Sequence, residues 1–279
     1  MATIEHRAYA RVGLLGNPSD VYYGRTISFS LGNFWASVKL EPSKDLIIVP
    51  HPTNDLVQFD SLPHLVNRLQ SDGYYGGVRL LMAICKVFHI YCKDNGISLH
   101  EGNFTLSYDT NIPRQDFDKK LMEDLGHGEY TPMDIDLLPP LYLIYAENPS
   151  DSGKVHSSVR QRWLNGDKFI ISSMEEVANI ALEGRTALLA KDYAQLASLM
   201  NRNFDLRRQM FGDDALGALN IEMVEIARRV GAASKFTGSG GAVVVFCPEG
   251  PSQAQVLEDE CKKAGFIFQP VQVMPSFLN

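Results

Sequence analysis

The chain has 279 residues, of which 45% are apolar and 21% are charged. This composition is typical of globular proteins, so a disordered chain is excluded, and the length predicts one large domain or two modest ones. The net charge of −7 argues against a dominant basic face, so broad nucleic-acid binding is not expected. A few local cationic groups still suffice to bind one phosphate or carboxylate.

The cysteines and the first residues exclude several classes of protein. No CxxC pair and no His cluster with metal-ligand spacing occurs, so neither a zinc site nor a disulfide framework is predicted. Met1–Ala10 lacks the apolar core of a signal peptide, and no apolar run approaches the roughly 20 residues of a membrane span. We therefore expect free thiols in a cytoplasmic protein, at four positions: Cys85, Cys92, Cys247 and Cys261.

The first half is predicted to consist of short strands around one helix. Apolar residues at helical spacing predict a helix over Gly77–Asn95, with Asn95-Gly96 as its end. Gly, Pro and Asn residues separate five β-rich runs: Ala8–Leu15, Thr26–Leu31, Phe34–Leu40, Leu46–Val49 and Phe104–Tyr108.

The second half is predicted to place helices on a small sheet, which gives an α+β fold in two layers. A composition shift at Leu138-Pro139-Pro140 predicts a boundary between domains 1–138 and 139–279. The predicted strands are Leu141–Ala146, Ala242–Phe246 and Phe266–Val273. The predicted helices are Val155–Leu164, Met174–Ala190, Tyr193–Phe211, Leu219–Val230 and Val256–Ala264.

The segment Arg11–Asp20 is the first candidate for chemistry. A β-run ends in a turn of Gly16, Asn17 and Pro18 and then presents Asp20. A carboxylate at this position can accept hydrogen bonds from sugar hydroxyls, and the Arg11 guanidinium can donate to anionic oxygens. The alternative is an ordinary turn in which Ser19 or Asp20 is a cap.

The segment Lys235–Gly241 is the second candidate. Its three glycines let backbone N–H groups approach a ligand, and it is predicted to connect a helix to a strand. That order differs from a Walker A loop, and no dinucleotide fingerprint occurs either. The alternative is a flexible connection in which Gly ends the helix.

The polar segment Glu147–Ser157 is a third, weaker candidate. Lys154 and His156 can face a ligand, but Ser and Asp residues here are also typical of a loop that caps the next helix. We favour the capping interpretation, because a lone His at a helix start is weak evidence for catalysis.

These segments, in this order, resemble motifs of the GHMP kinases, which include the galactokinases and mevalonate kinases. Arg11–Asp20 resembles their first motif, and the resemblance implies that Asp20 contacts the sugar and Arg11 lies near the transferred phosphoryl group. Asn17 stands at a position of the same motif. Lys235–Gly241 resembles their third motif, which implies that Gly238, Ser239 and Gly240 close on the substrate.

The chain is more similar still to the plant glucuronokinase family, over nearly its whole length. Gly-Asn-Pro-Ser-Asp at 16–20 is typical of that branch, and Asn203–Phe211 and Ala232–Cys247 are further specific runs. The resemblance implies ATP and Mg²⁺ as cofactors and D-glucuronate, phosphorylated at C1 for UDP-glucuronate synthesis, as substrate. It also implies a ribosomal-S5-domain-2-like N-terminal domain and a GHMP C-terminal α/β-sandwich domain. Arg25 and Lys154 are candidates for the substrate carboxylate.

One departure from the family concerns the ATP site. After Asn111–Gln115 the family continues with a glycine/serine-rich phosphate loop at a helix N-terminus, followed by a segment that carries an Asp base. Here Gln115 is followed at once by Asp116 and Asp118, so several tens of residues are missing. Because phosphoryl transfer depends on neutralising phosphate charge, we expect weak or no kinase activity. We also expect apolar surface to be exposed in the N-terminal half.

Two other hypotheses remain open. A GHMP fold without a phosphate loop can be a non-catalytic sugar-binding or regulatory protein, or a non-functional splice isoform. The chain can also be a GHMP kinase with another acceptor, which a substrate panel on a full-length relative separates from glucuronate.

Overall fold

The computed structural model describes residues 2–55, 60–63, 76–99, 102–112, 130–146 and 156–275. Two compact units are present: Met1–Tyr9 with Phe34–Ile112 form unit 1, and Ala10–Asn33 with Pro113–Asn279 form unit 2. The residues of the first motif therefore belong to the same unit as the C-terminal residues. The domains 1–138 and 139–279, whose boundary was predicted from a composition shift, stay a prediction.

Two long strands, β1 (Ile4–Leu15) and β2 (Ile27–Ser43), contribute residues to both units. β2 is one strand of 17 residues, where the sequence predicted two separated by Gly32-Asn33. The prediction was wrong here because the Gly32 amide donates to the Gln272 carbonyl at 2.6 Å, so the backbone stays extended.

Unit 1 is built on the second part of β2. It pairs antiparallel with β4 (Asn103–Thr110), and β3 (Ile47–Ile48) lies parallel on the other side of β4. Helix α1 (Val78–Asp94) confirms the predicted helix, but it buries only Leu81 and Cys92. The expected exposed apolar surface is present on α1, at Leu80, Met82, Ile84, Val87, Phe88, Ile90 and Tyr91.

Unit 2 contains an antiparallel sheet in the order β6-β7-β5-β8. Its strands alternate little in burial, since Leu143, Ile144, Val243, Val244 and Val245 are all almost fully buried. The bounds are β5 Leu141–Tyr145, β6 Ala233–Phe236, β7 Ala242–Phe246 and β8 Ile267–Pro270. A further strand, β9 (Val273–Met274), pairs with Ser30 and Leu31 of β2.

Four long helices of unit 2 bury apolar residues on one side: α3 (Lys168–Ala190), α4 (Tyr193–Phe211), α6 (Ala218–Arg229) and α7 (Pro251–Lys263). Helix α3 packs along α4. Helix α3 begins six residues before the predicted start at Met174, because the Asp167 side chain accepts hydrogen bonds from the amides of Phe169 and Ile170. The bounds are α2 His156–Leu164, α3 Lys168–Ala190, α4 Tyr193–Phe211, α5 Asp213–Leu216, α6 Ala218–Arg229 and α7 Pro251–Lys263.

The four cysteines are free thiols, as predicted. Cys92, Cys247 and Cys261 are buried, and burial raises the pKa of the Cys247 thiol to about 11. Within the described residues, no three His, Cys, Asp or Glu side chains come together as metal ligands. No helix in that part of the chain is long and apolar enough to cross a bilayer.

Adjacent leucines of α3 test the packing of unit 2. Leu188 is 1% exposed and Leu189 is 52% exposed. We expect Leu188→Ala to lower the free energy of unfolding by about 2–5 kcal/mol, because it leaves a cavity. Leu189→Ala is the matched control and should cost less than about 1 kcal/mol. Urea denaturation measures both, and equal losses would contradict the orientation of α3.

Candidate functional site

The end of β1 leads into a buried turn. Gly16 has a φ of 85°, and any side chain there would collide with the Arg25 carbonyl, so glycine is required. A cis peptide bond joins Asn17 to Pro18, and a 3₁₀ helix over Ser19–Tyr22 follows. Neither Ser19 nor Asp20 caps this helix, because its N-cap is Pro18 and no side-chain cap bond is made. Asp20 is therefore available for another role.

Lys235 connects this turn to the strand β6. Its side chain is fully buried, and Nζ donates to Gly13 O at 2.7 Å, Asn17 Oδ1 at 2.5 Å and Phe236 O at 2.7 Å. These three bonds use all three N–H donors of the ammonium group. Burial and the nearby Arg207 lower the Lys235 pKa well below its usual value. The sequence assigned Lys235 to the glycine loop, and the structure gives it a positioning role instead.

Asn203 of α4 holds the same turn from the other side. Its Oδ1 accepts a hydrogen bond from the Gly16 amide at 2.8 Å, and its Nδ2 donates to the Asn17 carbonyl at 3.0 Å. Asn203 is completely buried, so it replaces water for two backbone groups that have no strand partner. The turn geometry thus depends on one side chain that lies 187 residues from Gly16 and 186 residues from Asn17.

The glycine loop connects two strands and not, as predicted, a helix and a strand. β6 was missed because Ser234 and Lys235 interrupt its apolar pattern, although both side chains are buried. The Thr237 amide donates to Ala242 O, and the Gly241 amide donates to Asn220 Oδ1 at 2.8 Å. The amides of residues 238–240 are the ones that the loop can offer to a ligand.

The predicted residues of the first motif lie at different depths. Arg11 is exposed, and its Nη2 lies 3.8 Å from Asp20 Oδ2, while Asp20 is half-buried. Asn17 is buried and accepts the Lys235 bond, so in this structure its side chain supports the turn.

The predicted residues of the loop differ in the same way. Gly238 is exposed, Ser239 is half-buried and Gly240 is buried. The structure thus brings Arg11, Asn17 and Asp20 together at the turn, and Gly13 N donates to Thr237 O at 2.8 Å, next to the loop.

Among the residues that the structure describes, no contact supports either of the two residues predicted to bind the substrate carboxylate, Arg25 and Lys154. Arg25 is exposed, and only its backbone carbonyl has a bond at the site, from Ser19 Oγ at 3.0 Å. Lys154 lies outside the described residues, as do Asp116 and Asp118, and nothing is described for the side chain of His156.

Arg207 of α4 is a site residue that the sequence reasoning missed. It is 2% exposed, and Nη2 donates to the Ser239 carbonyl at 3.2 Å, while Nε has no hydrogen-bond partner. Burial lowers the Arg207 pKa to about 10, against the opposing influence of Tyr22 and Asp20. The signal was its place in the specific run Asn203–Phe211, but α4 periodicity alone does not separate Arg207 from its neighbour Arg208.

A cavity elsewhere in unit 2 does not fit an anionic ligand. It has a volume of about 600 Å³ and lies beside α5 and α6. Four carboxylates and one guanidinium line it: Asp213, Asp214, Glu222, Glu225 and Arg229. The turn with the glycine loop is therefore the better candidate, because its buried charges are cationic.

The Asn203 amide gives a direct test of the turn. We expect Asn203→Ala to lower the free energy of unfolding by about 2–4 kcal/mol, because two buried backbone groups lose their partners. Asn165→Ala is the control, since Asn165 is exposed and its side chain contacts only Gln161, and it should cost less than about 0.5 kcal/mol. Urea denaturation measures both free energies of unfolding. A loss of less than about 1 kcal/mol for Asn203→Ala would contradict the role of its two hydrogen bonds to the turn.

Comparison with known proteins agrees with these motifs. A family model described as GHMP kinases C terminal matches residues 185–265. Glucuronokinase 1 of Arabidopsis thaliana is 62% identical over 341 residues, covering 100% of this chain and 94% of the relative. Probable glucuronokinase 2 of Arabidopsis thaliana is 60% identical over 339 residues, covering 99% of this chain and 93% of the relative.

Solved structures show the same fold. Methanococcus jannaschii mevalonate kinase has a TM-score of 0.65 at 15% identity, with 98% of this chain and 99% of that chain covered. Lactococcus lactis galactokinase complexed with galactose has a TM-score of 0.61 at 10% identity, with 98% and 94% covered. The predicted α+β, GHMP-kinase-like fold is thereby confirmed.

The first alignment also contains a large gap. It extends over 341 positions, whereas this chain supplies 279 residues, so at least 62 positions have no counterpart here. The sequence predicted that several tens of residues are missing, and the number of unmatched positions is of that order. With high identity along the rest of the chain and a shared fold, the chain belongs to the glucuronokinase family of the GHMP kinases.

Proposed function

We propose that this sugar kinase acts on D-glucuronate, with ATP as phosphoryl donor, and that its turnover is impaired in this chain. The proposed substrate is supported by the turn at 16–20, which Lys235 and Asn203 hold beside the glycine loop. The two Arabidopsis relatives, 62% and 60% identical to this chain, carry the name glucuronokinase.

The reaction assigned to this site is ATP + D-glucuronate → D-glucuronate 1-phosphate + ADP. The C1 hydroxyl oxygen forms a bond to the γ-phosphorus, the bond from phosphorus to the ADP oxygen breaks, and the hydroxyl proton passes to a base. Asp20 accepts hydrogen bonds from sugar hydroxyls, while Arg11 is exposed and donates to phosphoryl oxygens. Mg²⁺ supplies charge neutralisation between phosphates when bound.

The described residues fit the sugar better than the nucleotide. The loop amides of residues 238–240 can donate to one oxyanion, but β7 follows the loop, so no helix N-terminus adds its dipole there. No group of three potential metal ligands occurs in the described ranges. The expected place of the phosphate loop, after Gln115, lies outside them.

The gap of at least 62 positions is the reason to expect impairment. Removing a single preorganised donor to a developing anion costs about 10²–10³ in kcat, and a phosphate loop supplies several donors. Loss of that loop together with the base should therefore remove more than about 10³ of the rate.

A second candidate function follows from the same gap. The structure describes the turn and the loop, and if the unmatched positions include the nucleotide elements, the chain can retain sugar binding without phosphoryl transfer. In that case it is a catalytically inactive sugar-binding or regulatory homologue. A splice isoform that binds neither ligand is the remaining possibility.

Coupled assay of ADP release tests the proposal. With ATP, Mg²⁺ and D-glucuronate we expect this chain to turn over more than about 10³-fold slower than the Arabidopsis relative. The matched control is this chain with the segment that it lacks, taken from the Arabidopsis relative, inserted after Gln115. Activity should return in this control. Turnover of the unmodified chain within tenfold of the relative, on the same assay scale, would contradict impairment.

Calorimetry separates the two candidate functions. Binding of D-glucuronate without binding of ATP favours the sugar-binding homologue. Binding of neither indicates a non-functional product, and binding of D-galactose in preference to D-glucuronate contradicts the proposed substrate.

A further inference from the structure

Arg207 is a buried cation whose hydrogen bonding is incomplete. It is 2% exposed, and Nε has no hydrogen-bond partner. Buried polar atoms in proteins are almost always bonded, so an orphaned donor on a charged group calls for an explanation. Nη2 donates to the Ser239 carbonyl at 3.2 Å, which is a long bond to a neutral acceptor.

The surroundings of Arg207 supply aromatic faces in place of a carboxylate. The guanidinium carbon lies 5.2 Å from the centre of the Phe211 ring and 5.4 Å from that of Phe236. Such contacts stabilise the cation but accept no in-plane N–H bond. In the described part of the chain no carboxylate lies within 4 Å of the Arg207 guanidinium, and Asp20 acts on it only at longer range.

The other cations of the site are less suited to the sugar carboxylate, and the proposed function assigns Arg11 to the phosphoryl group. Lys235 uses all three donors within the protein. Arg11 faces Asp20, and Arg25 is exposed. Arg207 has an unused donor, and the acceptor of its Nη2 belongs to a loop whose neighbouring Gly238 is exposed. A small shift of that loop would replace Ser239 O by a ligand oxygen.

We propose that Arg207 binds the carboxylate of the sugar acid through Nε and Nη2, with the Ser239 carbonyl displaced as the loop moves. This inference rests on the proposed function. A carboxylate matches the planar edge of a guanidinium with two parallel hydrogen bonds, which a neutral hydroxymethyl group does not. Arg207 thereby selects sugar acids over neutral sugars, while Asp20 and the loop bind features that both share.

Isothermal titration of two ligands tests this selection. D-glucuronate carries the carboxylate, and D-glucuronamide replaces it with a neutral amide of the same shape. We expect the wild-type chain to bind D-glucuronate at least about tenfold more tightly, and Arg207→Met to reduce that preference to less than about threefold. Affinity for D-glucuronamide should stay nearly constant.

Arg208→Met is the matched control. Arg208 is the next residue, but its guanidinium already pairs with Asp213 at 2.6 Å and Glu225 at 2.8 Å. The preference for D-glucuronate should be unchanged in this variant. Arg207→Lys keeps the charge without Nε and should show an intermediate preference, and it decides the matter if Arg207→Met fails to fold.

The outcomes distinguish the two proposals. Arg207→Met with a wild-type preference overturns the role of Arg207 and leaves the proposed function standing. A wild-type chain that binds both ligands equally also overturns it, because no group then recognises the charge. A wild-type chain that binds neither ligand contradicts the proposed function itself.

Discussion

The buried ammonium group of Lys235 is the interaction on which the candidate site depends. This group donates one hydrogen bond each to Gly13, Asn17 and Phe236. Gly13 lies 222 residues and Asn17 218 residues before Lys235 in the sequence. Burial of an ammonium group costs desolvation free energy unless its donors are hydrogen-bonded. All three donors of Lys235 are bonded within the protein. The chain therefore gains a fixed geometry between the first motif and the glycine loop only when both are folded together.

Two basic side chains are buried at this site, although the chain as a whole carries a net negative charge. The net charge is −7, yet Lys235 and Arg207 are both buried next to a loop of backbone amides, and Asp20 is the nearby carboxylate. Low-dielectric surroundings strengthen the attraction of such cations for an anion. Under the proposed function, a sugar acid would bind its carboxylate at the buried cation and its hydroxyls at Asp20.

The distribution of packing within each unit agrees with a missing segment. In unit 2 most side chains of β5 and β7 are buried, as expected for a complete core. In unit 1, α1 leaves seven large apolar side chains exposed, and Phe88 is 57% exposed. Exposed apolar surface of this kind normally has a covering element, and the relatives have at least 62 further positions.

The sequence by itself determined the elements whose signals are local. Periodicity predicted α1 and α4, turn residues located the motif at 16–20, and the resemblance in these runs identified the family. Prediction from the sequence failed where a residue acts through partners that are distant in the sequence. β6 was hidden because a lysine breaks an apolar pattern, and Arg207 looked no different from Arg208, which is paired at the surface.

Only the tertiary structure decided which side chains support the turn and which keep an unused donor. Asn17 and Lys235 were both expected near substrate, but their mutual hydrogen bond turns them inward, while Arg207 is left with an unpaired donor. The physical reason is that hydrogen-bond satisfaction is a property of three-dimensional neighbours, and neither composition nor periodicity records which donors are already used.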